Sequence, residues 1–333
     1  MSETSSSRVR RRPDVFIIGA AKSGTTSVYE WLKAHPDVYM SPSKEPRYFA
    51  PDLYGGHPHD FRHGVDEQRY LDLFAGATTE KRLGEASPRY IYSTDAPRLI
   101  HDFQPEARII ALVRNPVEMI YSLHNQRVSE GIEDITDFEE ALAAEDDRRQ
   151  GRRAVPRMVN PKMALYRDQG RFGEQLARWL EVFPRDQLHV ILFDDLANEP
   201  AETYRSVLAF LDVDADFRPA SFAAQNLSWT PRSSRLRAVT QSPPAKWVAY
   251  RALPRLFGER GSRRITRTFR YSRLYRKQRP RAPLSPALRQ RLEDHFEDDV
   301  VRLGQIVGRD LLRLWFGRRT PAAAAASAAE GSS

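Results

Sequence analysis

The chain of 333 residues contains no cysteine and no long apolar run. The absence of cysteine excludes disulfide bonds, thiolate metal sites and a cysteine nucleophile. No apolar run approaches the roughly 20 residues that a membrane-spanning helix needs, and the N-terminus lacks the apolar core of a signal peptide. We therefore expect a soluble, cytoplasmic protein whose length is ample for one large α/β domain.

The net charge of +8 is distributed unevenly along the chain. Residues 232–281 contain 16 Lys and Arg and a single acid, Glu259, so this segment carries +15 and the rest of the chain −7. Because the basicity belongs to one segment, the net charge does not indicate a nucleic-acid-binding protein, and we expect no nucleic-acid partner.

Residues 15–27 combine a buried-strand pattern with a turn and a helix start. The first four residues are apolar and predict a strand that breaks at Gly19, and a helix begins near Thr25. The first N–H groups of a helix have no internal partner, and the helix dipole favours negative charge. Lys22 adds a cation, and Gly19 and Gly24 allow close approach of the backbone. The stretch therefore predicts an anion-binding turn.

The order of residues in this turn differs from that of a nucleotide triphosphatase loop. A triphosphatase loop reads G-x-x-x-x-G-K-[ST], with the lysine after the second glycine. Here the order is G-x-x-K-x-G-T-T, which resembles the phosphosulfate-binding loop of sulfotransferases that use 3′-phosphoadenosine 5′-phosphosulfate (PAPS). Taken alone, the motif also suits an ordinary strand–turn–helix. The resemblance implies that Lys22 is catalytic, that no metal is required, and that the donor is bound by Lys22, Ser23, Gly24, Thr25, Thr26 and Ser27.

A second segment resembles the 3′-phosphate site of the same family. The run R-I-I-A-L-V at residues 108–113 predicts a buried strand and leads into Arg114-Asn115-Pro116. Asn115 can cap the following helix, and Pro116 suits its first turn. The resemblance implies that Arg114 forks onto the 3′-phosphate and that Ser122, eight residues later, donates a hydroxyl hydrogen bond to it. For Ser122 alone, an exposed helical serine is the alternative.

Residues 45–49 (E-P-R-Y-F) resemble the general-base segment of carbohydrate and heparan-sulfate sulfotransferases. The resemblance implies that Glu45, ionised at neutral pH with an ordinary pKa of about 4.3, takes the proton of the acceptor. A solvated surface glutamate is the alternative. Residues 82–90 resemble the family's strand-to-loop segment, but the position that is often a catalytic lysine is Ala86 here. Either Lys44 or Arg89 supplies that charge, or the chain works without it.

Three further regions carry weaker signals. In sulfotransferases a late basic loop reaches the 3′-phosphate, and Arg232 is the candidate here; Trp229 suits stacking on adenine or ordinary packing. The rest of the basic segment suits a lid over the nucleotide, a groove for an anionic acceptor, or peripheral contact at the inner face of an anionic membrane. Histidines at 57, 59 and 63 lack a zinc-site spacing, so we predict no metal.

Strands that alternate with helices predict a P-loop-like central parallel β-sheet flanked by helices, a single α/β domain with its ligand at the carboxyl ends of the strands. We predict a disordered leader at residues 1–12, a sulfotransferase domain at 13–318 and a disordered alanine-rich tail at 319–333. The acidic stretch at residues 133–147 predicts a solvated helix face, and residues 288–315 predict one long amphipathic helical region.

The resemblance predicts a PAPS-dependent sulfotransferase that moves a sulfuryl group to a hydroxyl or amine of an acceptor, either a carbohydrate or a glycolipid. Two alternatives come from other classes of protein. A P-loop kinase or NTPase disagrees with the order of residues in the loop. A non-catalytic binder of anionic surfaces through residues 232–281 would leave Lys22, Glu45 and Arg114 unexplained.

Overall fold

The computed structural model of the chain describes residues 11–54, 67–155, 158, 160–222 and 283–318, together with 230–231, 258 and 276–277. Contacts divide the chain into two compact units, residues 1–225 with 285–333, and residues 226–284. The strands of the larger unit are β1 Val15–Gly19, β2 Val38–Met40, β3 Arg82–Ala86, β4 Arg108–Val113 and β5 Leu188–Leu192.

The described helices of the larger unit surround these strands. They are α1 Thr25–Lys33, α2 Pro51–Tyr54, α3 Glu67–Leu71, α4 Ala96–Phe103, α5 Pro116–Glu130, α6 Phe138–Ala143, α7 Glu145–Arg149, α8 Tyr166–Gln169, α9 Phe172–Leu180, α10 Phe193–Asn198, α11 Pro200–Phe210, α12 Pro286–Val307 and α13 Leu311–Phe316. None of the helices in the described part of the chain is long and apolar enough to cross a membrane.

The sheet of the larger unit has five strands in the order β2-β3-β1-β4-β5. All pairs are parallel, and the central strand β1 pairs Val15 with Gly84 of β3 and with Arg108 of β4. Every residue of β1 is buried, as expected for a strand covered on both faces. After β1 the chain continues to β2 at one edge of the sheet, and after β4 it continues to β5 at the opposite edge. The carboxyl ends of β1 and β4 therefore form the switch point at which open α/β sheets bind ligands.

Successive side chains of β1 point to opposite faces of the sheet, and each face has its own cover. On one face, Ile17 belongs to a buried cluster with residues of α1 and α11. The Tyr204 hydroxyl of α11 donates to the carbonyl of Trp31 in α1 at 3.0 Å, which joins the two helices. On the other face, Phe16 packs edge-on against Phe49 at 5.8 Å between ring centroids. The sheet is therefore the middle layer of the unit, and the α/β prediction is confirmed.

Most predicted elements are confirmed, but the acidic stretch is only in part the solvated face that was predicted. Six of its eight carboxylates are exposed, whereas Glu133 and Glu145 are 2% and 1% exposed. The predicted helical region at residues 288–315 consists of two helices, because Gly308 adopts φ 71° and ends α12 with a left-handed cap.

The described part of the chain already begins within the predicted leader. Arg11 donates to the carbonyl oxygens of Glu80 and Lys81, and Arg12 forms an ion pair with Glu67 at 2.7 Å. Arg11 and Arg12, predicted as the end of the leader, therefore contact the larger unit through their side chains.

The smaller unit contains an antiparallel pair of short strands, β6 Thr230–Pro231 and β7 Arg276–Lys277. Thr230 lies opposite Lys277, and Pro231 lies opposite Arg276. Apart from Gly258, Arg276 and Lys277, the residues of the basic segment, Arg232 included, lie outside the described residues, and the three roles suggested for the segment stay predictions.

Candidate active site

The helix that follows β1 starts without any group of its own that would neutralise its N-terminus. Gly24 occupies the N-cap position with φ 93°, no side chain caps the helix, and its first turn contains no acidic residue. A helix start leaves backbone N–H groups without helical partners and carries a partial positive charge. The N-terminus of α1 can therefore bind an anion at the carboxyl end of β1.

The two glycines of this turn pack closely against side chains from other parts of the chain. A Cβ atom at Gly19 would lie 2.4 Å from Cγ2 of Ile91. A Cβ atom at Gly24 would lie 2.4 Å from Cδ2 of Leu196, and its φ of 93° disfavours any side chain. The glycines were predicted to let a ligand approach the backbone closely, and they also let the side chains of Ile91 and Leu196 do so.

The two cations predicted from separate motifs meet at the switch point. Lys22 lies in the turn and adopts φ 67°, a left-handed conformation that is uncommon for a residue other than glycine. Arg114, which directly follows β4, donates from Nη1 to the carbonyl oxygen of Lys22 at 3.2 Å. Its guanidinium carbon also lies 4.4 Å from the ring centroid of Phe193. The hydrogen bond to the Lys22 carbonyl and the contact with the Phe193 ring together fix the plane of the Arg114 guanidinium beside the turn.

The predicted hydroxyl ligands are more buried than the two cations. Ser23 is fully buried, its N–H donates to the carbonyl of Ala20 at 3.2 Å, and its hydroxyl has no hydrogen-bond partner among the described residues. Thr25 and Ser27 are 4% and 6% exposed. Ser122 is 2% exposed and lies on α5, which starts two residues after Arg114. Lys22 and Thr26, by contrast, are half-buried.

The cap predicted at the start of α5 is confirmed. The Asn115 side chain accepts from the N–H groups of Val117 and Glu118 at 3.0 and 3.4 Å. Its amide group donates to the carbonyl of Trp315 in α13 at 3.2 Å. The C-terminal helix therefore contributes to holding the residue that directly follows Arg114.

Glu45 lies beside the carboxyl end of β3, the strand adjacent to β1. Its N–H donates to the carbonyl of Ala86 at 2.9 Å, and Ala86 pairs with Ile17 of β1. The loop with the predicted base follows β2 and reaches the carboxyl end of β3, the strand next to β1, which the turn with Lys22 follows. Glu45 adopts φ 61°, a second left-handed residue in this region.

Three cations surround the carboxylate of Glu45. Arg47 donates to Oε2 at 2.9 Å, and Nζ of Lys44 lies 3.7 Å from Oε1. Burial raises the pKa of the Glu45 carboxyl, but the charges of Arg47, Lys44 and Arg89 outweigh it and hold the pKa below the ordinary value. Burial also lowers the pKa of Lys44, partly offset by the charge of Glu45. The carboxylate is therefore ionised at neutral pH.

Ala86, the last residue of β3, is fully buried. Lys44 and Arg89, the predicted substitutes for the charge of a lysine at position 86, both lower the pKa of Glu45. Arg47, which was not predicted, lies nearer to the carboxylate than Lys44 does. The E-x-R spacing was visible in the sequence, but the left-handed conformation of both residues was not.

Several predicted residues cannot be placed. Arg232, Trp229 and the histidines at 57, 59 and 63 lie outside the described residues. Within the described ranges, no three His, Cys, Asp or Glu side chains converge as a metal site.

The chain is similar to known proteins over much of its length. A family model described as the sulfotransferase domain matches residues 12–235. Carbohydrate sulfotransferase 15 of Mus musculus is 29% identical over 255 residues, which cover 62% of this chain and 45% of that protein. The bifunctional heparan sulfate N-deacetylase/N-sulfotransferase 3 of Homo sapiens is 29% identical over 209 residues, which cover 61% of this chain and 22% of that protein. The chain thus spans less than half the length of these relatives.

A solved structure extends the likeness to nearly the whole chain. The crystal structure of a sulfotransferase from Alicyclobacillus acidocaldarius is 28% identical, with a TM-score of 0.66, and the match covers 92% of this chain and 99% of that one. Because the family model matches more than half of the sequence and the fold agrees, the chain belongs to the sulfotransferase family.

Proposed function

We propose that this sulfotransferase takes its sulfuryl group from PAPS and transfers it to a hydroxyl or amine of a carbohydrate or glycolipid acceptor, with Glu45 as the general base. One observation carries the proposal. The uncapped N-terminus of α1, Lys22 and Arg114 meet at the switch point of the sheet, and Glu45 is hydrogen-bonded to the carboxyl end of the adjacent strand, β3. Donor and acceptor groups would then face each other across the ends of β1 and β3.

The donor half of the site suits a nucleotide with two separate anionic groups. Backbone N–H groups at the start of α1 and the ammonium of Lys22 would contact the 5′-phosphosulfate. When the bond between sulfur and the bridging phosphate oxygen breaks, the electron pair and negative charge remain on that oxygen. Donors aimed at a developing charge are worth several kcal/mol in other enzymes. Arg114 would bind the 3′-phosphate with a planar fork, for which guanidinium is better suited than ammonium.

The acceptor half of the site needs a group that removes one proton. As the acceptor oxygen or nitrogen bonds to sulfur, its proton would pass to the carboxylate of Glu45. Arg47 and Lys44 keep this carboxylate ionised before the acceptor arrives. The acceptor must then replace part of the contact between Glu45 and Arg47. The names of the two relatives above support a carbohydrate acceptor.

The carboxylates at the end of β5 argue against a P-loop kinase or NTPase, which needs an aspartate near magnesium. Asp194 accepts a hydrogen bond from Nε1 of Trp315 at 3.0 Å, and Asp195 forms an ion pair with Arg309 at 2.5 Å. Both side chains therefore have protein partners. Cations of the chain would supply the charge that magnesium supplies in phosphoryl transfer.

A nucleotide thermal-shift series tests the donor, and sulfate transfer tests the reaction. Adenosine 3′,5′-bisphosphate at 100 times its Kd should stabilise the protein by about 2.7 kcal/mol, while ATP with Mg²⁺ should not. Labelled sulfate from PAPS should appear on members of a glycan and glycolipid panel, detected by mass. Stabilisation by ATP with Mg²⁺ alone would refute the proposed donor, and transfer only to phenols or polyols would refute the proposed acceptor class.

A further inference from the structure

The loop that contains Glu45 is held to the end of β3 at three alternating residues. The N–H of Glu45 donates to the carbonyl of Ala86, that of Arg47 to the Ser87 hydroxyl at 3.0 Å, and that of Phe49 to the Tyr90 hydroxyl at 3.2 Å. Two of the three acceptors are therefore side-chain hydroxyls. The orientation of those hydroxyls decides whether the loop amides have partners.

A single buried carboxylate sets the orientation of both hydroxyls. Ser87 donates to Oε2 of Glu85 at 2.7 Å, and Tyr90 donates to Oε1 at 2.9 Å. An amide N–H can only donate, so each hydroxyl must accept from the loop and give its one proton to the carboxylate. Burial raises the pKa of Tyr90 well above its ordinary value, and the charge of Glu85 adds to this effect. The tyrosine thus keeps its proton.

Glu85 itself is 0% exposed, so an acceptor cannot reach it in this structure. A third hydroxyl, that of Tyr70, donates to Oε1 at 3.0 Å. The loop that Glu85 helps to hold is strained, because Glu45 and Arg47 adopt φ values of 61° and 60°. Residues other than glycine stay in that conformation only where the surroundings determine it.

We propose that Glu85 is a positioning residue for sulfuryl transfer, which acts through the hydroxyls of Ser87 and Tyr90 to hold Glu45 in its left-handed conformation. The inference rests on the proposed function, in which Glu45 is the general base. Glu85 takes no part in proton transfer. Its negative charge makes both hydroxyls acceptors toward the loop.

The substitution Glu85→Gln tests this role with almost no change in size. A glutamine presents one N–H₂ group where the carboxylate accepts, so one of the two hydroxyls must turn and a loop amide loses its partner. We expect kcat to fall by roughly 10–100-fold, as misplacement of a reacting group does elsewhere. The Kd of adenosine 3′,5′-bisphosphate should stay within about threefold, because the donor turn follows β1.

Tyr70→Phe is the matched control. It also removes a hydroxyl from Glu85, but it keeps the ring that stacks on Tyr48 and leaves both loop contacts in place. Its kcat should stay within about twofold of the wild type. Equal losses in Tyr70→Phe and Glu85→Gln would overturn the inference, because a general loss of packing would then explain both.

The double variant Glu45→Gln with Glu85→Gln separates the inference from the proposed function. If Glu85 acts only through Glu45, the second substitution lowers kcat no further. A full multiplicative loss would refute the positioning role while leaving Glu45 as the base. An unchanged kcat in Glu45→Gln alone would refute the base assignment. Should Glu85→Gln fail to fold, Ser87→Ala and Tyr90→Phe each remove one loop contact and must lower kcat without weakening donor binding.

Discussion

Replacing Arg114 by lysine separates the charge of this side chain from its geometry. Nη1 of Arg114 donates to the carbonyl of Lys22 at 3.2 Å, and the guanidinium lies 4.4 Å from the ring of Phe193. A lysine keeps the positive charge but has no planar fork and cannot make both contacts while it reaches a phosphate. The variant therefore tests whether the fixed guanidinium plane, rather than charge alone, recognises the 3′-phosphate.

The magnitude follows from the bonds that are lost. A hydrogen bond to a charged group contributes about 1.5–3 kcal/mol, and about 1.4 kcal/mol corresponds to a factor of ten in affinity. We expect Arg114→Lys to weaken adenosine 3′,5′-bisphosphate binding by roughly 10- to 150-fold. Binding of adenosine 5′-monophosphate, which lacks the 3′-phosphate, should change by less than about threefold. Isothermal titration calorimetry with both nucleotides measures the two values directly.

Arg108→Lys is the control, because Arg108 belongs to the opposite end of the same strand. Its guanidinium also lies over an aromatic ring, that of Phe210 at 5.4 Å, but at the amino edge of the sheet. The Arg108→Lys variant should leave the affinities for both nucleotides unchanged. An equal loss for both nucleotides in Arg114→Lys would show that the residue supports the Lys22 turn instead of reading the 3′-phosphate. Unchanged bisphosphate affinity would refute its role in donor binding altogether.

Three further predictions concern the base and the buried core. Glu45→Gln should lower kcat by roughly 10²–10⁴-fold with unchanged donor affinity in calorimetry, and the reverse pattern would assign Glu45 to the donor. Arg47→Met removes the strongest charge that lowers the pKa of Glu45, so the acid limb of kcat/KM should move to higher pH; an unmoved limb would mean that another group titrates. Arg148→Met leaves the buried carboxylate of Glu133 without its counter-ion and should lower the free energy of unfolding in urea by about 3–5 kcal/mol. The same change at the half-exposed Arg152 should cost under about 1 kcal/mol, and equal effects would contradict this reasoning.

The sequence was sufficient for the elements that form the proposed donor site. The strand and turn at residues 15–24 were predictable because a short apolar run is followed by glycines and a helix start, which favours a covered strand. Arg114 was predictable because it directly follows the apolar run of β4, and parallel strands bring their carboxyl ends to the same edge of the sheet. These signals are local, and each depends on fewer than about 20 consecutive residues.

The buried polar groups were not predictable because their partners are distant in sequence. Glu133 was expected in solvent, yet Arg148 donates to it at 2.7 Å and the Tyr166 hydroxyl donates at 2.7 Å. These partners lie 15 and 33 positions away. A run of acids and arginines has the composition of a solvated helix, and only the tertiary fold decides which members are buried and paired.

Backbone conformation explains why the base region was only partly predictable. Among described residues other than glycine, positive φ occurs at Lys22, Glu45, Arg47 and Asp212. Asp212 follows the end of α11, and aspartate tolerates this conformation better than most residues do. The other three belong to the candidate site.

Each of these three costs of order 1–3 kcal/mol, so local preferences would predict glycine or asparagine at their positions. The contacts that Ala86, Ser87 and Tyr90 make with the 45–49 loop, each worth roughly 1 kcal/mol net, offset much of this strain. In this strained loop the carboxylate of Glu45 lies against Arg47, two residues along. Sequence rules therefore fail at the same residues that the proposed chemistry needs, because tertiary hydrogen bonds, and not local propensity, hold them in place.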